Sequence, residues 1–175
     1  MSLFKITLLV AGLGAVPAGA APAHDSYFAT LSSLCGTTFT GASVFPKDPA
    51  DAFAGKKLVA HVAKCTADEI RIPFAVGENT SRTWIIRREQ GGLTLKHDHR
   101  HDDGRPDEVT MYGGAASASG SARSMSFMAD AYTAKLIPGA ATNVWTLSVS
   151  DDGRAMTYYL ERDAKPRFKA ELTRQ

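Results

Sequence analysis

From residue 56 onward, the chain is a succession of short runs rich in β-branched and aromatic residues, and this pattern restricts the fold more than any other feature. Each run ends near a Gly, Asp, Asn or Pro, the residues that favour turns. Short strands at this spacing are typical of an antiparallel sandwich or barrel. We predict one strand at 37–45 and further strands at 56–65, 67–76, 81–89, 93–101, 107–114, 123–130, 131–137, 142–150, 154–162 and 167–173.

The segment Asp-Asp-Gly-Arg at 151–154 predicts the register of one hairpin. Asp-Gly is a favoured pair in tight hairpin turns. A turn at this point gives one apolar and one polar face, as a half-buried hairpin requires. The expected pairs are Val149–Met156, Leu147–Tyr158 and Trp145–Leu160 on the apolar face and Ser148–Thr157 on the polar face.

The same four residues recur at 102–105, and Gly91-Gly92 offers a second turn upstream. Together these turns predict a three-stranded meander. The expected neighbours are His99 with Glu108, His97 with Thr110, Leu95 with Tyr112, Trp84 with His99 and Ile86 with His97. The face that we expect to point inward carries Trp84, Ile86, Leu93, Leu95, His97, His99, Glu108 and Tyr112.

Three segments outside these strands carry their own predictions. Residues 24–36 should form a short helix that ends at Gly36, because apolar residues recur at three- and four-residue spacing. Asp48 could cap a second short turn of helix within 48–56. Residues 113–124 are almost all small, and they are expected to form either a simple loop or a mobile flap over the mouth of a barrel.

The first 20 residues have the features of a signal peptide. Lys5 precedes an apolar run that is too short to span a bilayer, and Ala18-Gly19-Ala20 provides the small residues of a cleavage site. Cleavage after Ala23 is an alternative. We therefore expect a signal peptide at 1–20 and a β-barrel domain at 21–175, in a periplasmic or secreted protein.

Cysteine content and charge add to this interpretation. Cys35 and Cys65 are the two cysteines of the chain, and an even number in an exported protein predicts a disulfide bond. Two free buried thiols are the alternative. Removal of Lys5 leaves 19 basic and 18 acidic residues, a balance that gives no sign of nucleic-acid binding. No second apolar segment is long enough for a membrane helix, so no membrane insertion is expected after signal removal.

Three of the five histidines alternate within the segment LTLKHDHRHDDG, residues 93–104. Same-face residues two apart on a strand lie about 6.6–6.8 Å apart and residues four apart about 13 Å, so His97, His99 and His101 cannot easily bind one ion together. Zinc or another divalent metal could instead be held by His97, His99 and Glu108. The alternatives are a polar barrel end, contact with a metal-free ligand, and a haem ligated by His97, His99 or His61.

A signal peptide, a short N-terminal helix and an up-and-down series of strands resemble the layout of the calycin superfamily, which includes the lipocalins and the fatty-acid-binding-like barrels. The resemblance is one of layout, since Gly41-Ala42-Ser43 stands where the lipocalin Gly-x-Trp might be. It implies a single antiparallel up-and-down barrel of about 8–10 strands with an internal cavity, and it implies no catalytic residues.

The function expected from these observations is the non-enzymatic binding of a small apolar or aromatic molecule inside the barrel. One alternative is a metal-binding or metal-dependent hydrolytic protein built on His97, His99 and Glu108. The other is an envelope protein that acts through its surface. The residues expected to contact the ligand are Trp84, Ile86, Leu95, His97, His99 and Tyr112.

Overall fold

The computed structural model describes residues 22–175. The expected signal peptide at 1–20 lies outside these residues and stays a prediction. The elements in chain order are α1 (Pro22–Ser33), β1 (Thr38–Phe45), β2 (Leu58–His61), β3 (Lys64–Cys65), β4 (Glu69–Val76), β5 (Asn79–Glu89), β6 (Gly92–His99), β7 (Tyr112–Ala116), β8 (Ser124–Ala129), α2 (Ala131–Leu136), a 3-10 turn (Pro138–Ala140), β9 (Val144–Val149), β10 (Ala155–Arg162) and β11 (Lys165–Arg174).

The strands close into an antiparallel barrel of ten strand positions. Each strand from β4 to β10 is hydrogen-bonded to the next strand in the chain, and β11 pairs with β1. The short strands β2 and β3 share one position, because both pair with β4, at 74–76 and 70–71 respectively. Pairing of β2 with β4 completes the circle. The prediction of an all-β, up-and-down antiparallel barrel with a short N-terminal helix is confirmed.

Helix α1 closes one end of the barrel, which we call the helix end. Tyr27 and Leu31 of α1 are fully buried, and the Tyr27 hydroxyl donates a hydrogen bond to the carbonyl oxygen of Leu147 at 3.0 Å. The guanidinium of Arg88 lies 4.2 Å from the centre of the Phe28 ring. The predicted helix at 24–36 is therefore confirmed. The chain connections at 34–37, 90–91, 117–123 and 150–154 lie at this end.

A disulfide bond between Cys35 and Cys65 joins the segment after α1 to β3, as predicted. Their Cα atoms are 6.2 Å apart, and 30 positions separate them in the sequence. The bond therefore ties the helix end to the part of the barrel where β3 and β4 pair.

The opposite end, which we call the open end, carries the connections 46–57, 77–78, 100–111, 130–143 and 163–164. The predicted strand at 131–137 is wrong, because this segment forms α2. Asp130 caps α2 by accepting a hydrogen bond from the Thr133 backbone N–H at 2.8 Å. The buried Thr133 hydroxyl donates to the Gly113 carbonyl oxygen and accepts from the Gly113 N–H, both at 2.7 Å. These bonds anchor α2 on β7.

The expected helical turn within 48–56 is also wrong. The structure has a series of turns here, stabilised by hydrogen bonds from Ala50 N–H to the Asp48 carboxylate and from Phe53 N–H to the Asp51 carboxylate, both 2.9 Å. Asp48 and Asp51 are bonded to the backbone two residues onward, which is the geometry of an Asx turn and does not begin a helix.

The small-residue segment at 113–124 is neither a simple loop nor a flap over the mouth. Its first residues belong to β7, where a Cβ atom on Gly114 would lie 1.8 Å from the Met128 carbonyl oxygen. Glycine is therefore required for the close approach of β7 and β8. The connection at 117–123 lies at the helix end, where His24 Nε2 is hydrogen-bonded to the Ser117 carbonyl oxygen at 2.9 Å.

The hairpin predicted from the turn at 151–154 has the expected register. Val149 pairs with Met156, and Ser148 pairs with Thr157. The pairs further from the turn, Leu147–Tyr158 and Trp145–Leu160, are also as predicted.

The register predicted between β5 and β6 is wrong by two residues. Glu89 pairs with Gly92, so the two-residue turn is Gln90-Gly91, and Trp84 lies opposite His97 where His99 was expected. Ile86 accordingly lies opposite Leu95. Gly92 has a different role from the expected one: a Cβ atom there would lie 2.5 Å from His24 Nδ1, so glycine makes room for α1.

The register predicted after β6 is also wrong by two residues. His97 pairs with Tyr112, although Thr110 was expected. The Asp107 N–H donates to the His99 carbonyl oxygen, and the Met111 N–H donates to that of His97. Arg100 forms a bridge with Pro106, so six positions on one strand match three on the other, and three extra residues are looped out.

Hydrogen bonds to the carboxylate of Asp98 stabilise this loop. Its carboxylate, 5% exposed on the outer face of β6, accepts hydrogen bonds from the Arg100 guanidinium at 2.9 and 3.1 Å and from the Thr110 hydroxyl at 3.3 Å. These side chains hold the loop at 100–111 in place. The turn residues at 102–105, from which the register was predicted, give no sign of these contacts.

Candidate functional site

A cavity of about 340 Å³ opens at the open end of the barrel. Half of its lining residues carry an aromatic ring or an imidazole, and several polar side chains surround its mouth. The lining residues are Asp51, Phe53, Phe74, Arg82, Thr83, Trp84, His97, His99, Tyr112, Ile137, Ala140, Asn143, Trp145, Tyr158, Leu160, Arg162, Arg167 and Phe168.

Four of the six predicted contact residues line this cavity, namely Trp84, His97, His99 and Tyr112. The other two, Ile86 and Leu95, are paired with each other across β5 and β6 and belong to the closed hydrophobic core. Side chains on one face of a strand lie at different heights along the barrel axis. Ile86 and Leu95 lie nearer the helix end, below the floor of the cavity. The face was therefore predicted correctly, but the depth of the cavity was not.

Hydrogen bonds determine the protonation of His97, which is 4% exposed. Its Nδ1 atom lies 3.1 Å from the carbonyl oxygen of Tyr112, which can only accept, so Nδ1 carries the proton. Its Nε2 atom therefore accepts from the hydroxyl of Tyr158, at 2.7 Å. Burial lowers the pKa of His97 to about 3, although the bond to Tyr112 opposes this shift. The imidazole is neutral at pH 7.

His99 lies nearer the mouth and is half-buried. Its Nε2 atom is hydrogen-bonded to the hydroxyl of Tyr112 at 3.1 Å. Burial and the positive charge of Arg82, which lies directly opposite on β5, lower the pKa of His99. Burial also raises the pKa of Tyr112 to about 12. The side chains of His97, His99 and Tyr112 are thus uncharged near neutral pH.

The rings of the wall are stacked on each other. Trp84 is stacked between Phe74 and Tyr158, with ring centres 4.3 and 4.5 Å apart. His97 is stacked on Tyr112 with a separation of 4.6 Å. Stacked rings are held in fixed positions, and an aromatic lining favours contact with an apolar or aromatic molecule.

Two indole N–H groups lack a partner within residues 22–175. Trp84 and Trp145 are each 2% exposed, and neither indole nitrogen forms a hydrogen bond to a described residue. The fully enclosed polar atoms without a partner in this part of the chain are His24 Nδ1 and Thr94 Oγ1. Both tryptophans line the cavity, and an indole N–H can donate a hydrogen bond to a ligand.

The three predicted metal ligands do not come together. Glu108 is in the 100–111 loop with its side chain 88% exposed, and its carboxylate lies 3.7 Å from His101 Nε2. Among residues 22–175, the metal-ligating atoms that cluster belong to His101, Asp107 and Glu108, outside the cavity. His97 has both ring nitrogens in hydrogen bonds to the protein. This geometry does not favour a metal held by His97, His99 and Glu108.

Sequence reasoning missed the arginines of the mouth. Arg82 comes from β5, whereas Arg162 and Arg167 come from the neighbouring strands β10 and β11, about 80 positions further along the chain. It also missed Phe53 and Phe168, whose rings pack together with centres 4.7 Å apart. Alternation along β11 could have placed Phe168 inside the barrel, but only the fold brings it to the mouth.

Comparison with protein-family models, curated proteins and solved structures finds no match to this chain. In the described part of the chain, no helix combines the length and the apolar character needed to cross a membrane.

The free energy of unfolding should decrease as the pH falls, because of His97. Its pKa is about 3 in the folded protein and about 6.5 when unfolded. The unfolded state therefore binds more protons between these values, so stability is complete above pH 6.5 and is lost as pH falls. From pH 6.5 to 5, above the titration of most carboxylates, we expect a loss of about 1.5 kcal/mol in the free energy of unfolding. Urea denaturation at several pH values measures it.

In the variant His97→Gln, the free energy of unfolding should lose most of its dependence on pH. In His99→Gln this dependence should be reduced less, because His99 is only half-buried. An unchanged slope in His97→Gln would assign the effect to other groups. Carboxylates such as Glu69, whose pKa is lowered to about 2 by hydrogen bonds from Arg71 and Arg87, contribute at lower pH.

Proposed function

We propose that the protein binds a small, mostly apolar or aromatic molecule in the cavity at the open end of its barrel. The observation that carries this proposal is the cavity itself, whose lining includes Trp84, Tyr112, Trp145 and Tyr158.

The size and lining of the cavity support the same conclusion. A volume of about 340 Å³ is at the lower end of the range for small-molecule sites. Its wall combines flat aromatic surfaces with a few convergent polar groups, which is the composition of such sites. A protein that acted only through its outer surface would have no need of an open interior.

Binding or carriage outside the cytoplasm is the context that we propose. The disulfide between Cys35 and Cys65 is of a kind that persists in oxidising compartments. The closed up-and-down barrel agrees with the calycin-like layout that the sequence resembles, in which the interior holds the ligand. These features support an exported binding protein.

Fluorescence offers a direct test, because Trp84 and Trp145 are the only two tryptophans of the chain and both line the cavity. Titration with the neutral probe N-phenyl-1-naphthylamine should quench their emission and increase that of the probe, with saturation at one molecule per chain. Absence of saturable binding, with the far-UV spectrum of a folded β protein, would overturn the proposal.

A matched pair of variants locates the binding. Ala140 lines the cavity and is 2% exposed, whereas Ala141 is exposed. Ala140→Leu fills part of the cavity and should weaken probe binding at least about tenfold, whereas Ala141→Leu should leave it unchanged. Equal binding by both variants would place the probe elsewhere on the protein.

A further inference from the structure

The mouth of the cavity has an excess of positive charge. Arg82, Arg162 and Arg167 all line it, whereas Asp51 is the one carboxylate among the lining residues. Within residues 22–175, none of the three arginines has a carboxylate within 4.0 Å of its guanidinium, although several other arginines of the chain form such pairs. The charge at the mouth is therefore not neutralised by direct ion pairs.

Two of these guanidinium groups are held in position by neutral groups. The Arg82 guanidinium donates to the side-chain oxygen of Asn79 at 2.6 Å and lies 5.7 Å from the centre of the Phe53 ring. Arg162 donates through Nε to the side-chain oxygen of Asn143 at 2.8 Å. Each arginine keeps further N–H donors free, because a guanidinium has five.

Arg82 and Arg162 belong to strands β5 and β10, which are well separated around the barrel, so they flank the mouth from different sides. Arg167 adds an exposed third positive charge from β11. Guanidinium groups recognise carboxylate, sulfonate and phosphate oxygens through paired hydrogen bonds. The one carboxylate nearby, that of Asp51, is already hydrogen-bonded to the Phe53 N–H.

We propose that the ligand is an aromatic or planar molecule that carries an anionic group, with its rings against the aromatic lining of the cavity and its anion at the mouth between Arg82 and Arg162. This inference rests on the proposed function and adds the charge of the ligand to it. The wall accounts for the planar body, since its rings are stacked and uncharged. The unpaired arginines account for the anion.

Calorimetric titration with two probes of nearly equal shape tests the charge. The carboxylate 2-naphthoate should bind at least about tenfold more tightly than the neutral amide 2-naphthamide, because a hydrogen bond to a charged group contributes about 1.5–3 kcal/mol. Added salt should weaken the binding of naphthoate and leave that of naphthamide nearly unchanged, because the mouth is exposed to solvent.

The arginines are tested by the double variant Arg82→Gln/Arg162→Gln, with Arg174→Gln, exposed at the helix end, as the control. The double variant should abolish the preference for naphthoate and keep the affinity for naphthamide and N-phenyl-1-naphthylamine. That retained affinity also shows that the variant is folded. The control should keep the full preference.

The possible failures are distinct. Equal affinity of the wild-type protein for naphthoate and naphthamide would overturn the anionic ligand while leaving the proposed function intact, as would a preference that persists in the double variant. Absence of binding of both naphthalene probes and of N-phenyl-1-naphthylamine would overturn the proposed function itself.

Discussion

Replacement of Cys35 and Cys65 by serine is expected to lower the free energy of unfolding by about 3–4 kcal/mol. The disulfide closes a loop between residues that are 30 positions apart, and its removal restores the chain entropy of that loop to the unfolded state. Cys35 is exposed and Cys65 is half-buried, so the serine side chains cost little in lost packing. The effect should therefore come almost entirely from loop closure.

Urea denaturation of the oxidised protein and of the double variant Cys35→Ser/Cys65→Ser measures this difference. Reduction of the wild-type protein should cause a similar loss, and the same reductant should leave the variant unchanged. Equal unfolding midpoints for oxidised and reduced wild-type protein would contradict the expected contribution. The disulfide lies at the helix end, away from the cavity. Probe binding at the open end should therefore survive loss of the disulfide at low urea concentration.

The substitution Gly114→Ala should destabilise the protein by about 3 kcal/mol or more. A Cβ atom at this position would lie 1.8 Å from the Met128 carbonyl oxygen and 2.8 Å from the Asp130 backbone nitrogen. Both are backbone atoms, so no side-chain rotation can relieve the overlap, and β7 must move away from β8. Such a movement would also disturb α2, because Thr133 is hydrogen-bonded to the neighbouring Gly113.

Gly139→Ala is the matched control. A Cβ atom there would meet only the Arg162 guanidinium, at 3.7 Å, which is ordinary van der Waals contact. This variant should change the unfolding midpoint little, whereas Gly114→Ala should lower it strongly or prevent folding. A stable Gly114→Ala protein would mean that β7 and β8 can separate without loss of the barrel.

The two ends of the barrel differ in a way that suits a binding protein. The helix end is tied by the disulfide and by the buried Tyr27, whose hydroxyl is bonded to the backbone of β9. The open end is covered only in part, by α2 and the 3-10 turn, which supply Ile137 and Ala140 to the cavity. This difference is what the proposed binding of a small molecule through the open end would require.

How much of the site could be predicted depends on the range of the interactions involved. The alternation around His97 and His99 identified the inward face, because residues two apart on a strand share a face. The partners of His97 could not be predicted, since Tyr158 is 61 positions away. Asp130 was a local signal that was overlooked: it caps α2, and it stands directly before the segment that was predicted as a strand.

The sequence by itself determined the class of fold, the disulfide, the helix α1 and the hairpin at 151–154. Each of these depends on local chemistry: strand alternation, turn residues, helical spacing and cysteine number. Only the tertiary structure decided the register around the 100–111 loop, where the buried Asp98 carboxylate binds Arg100 and Thr110. It alone also brought Arg82 to the same mouth as Arg162 and Arg167, because closure of a barrel makes neighbours of residues that are far apart in the chain.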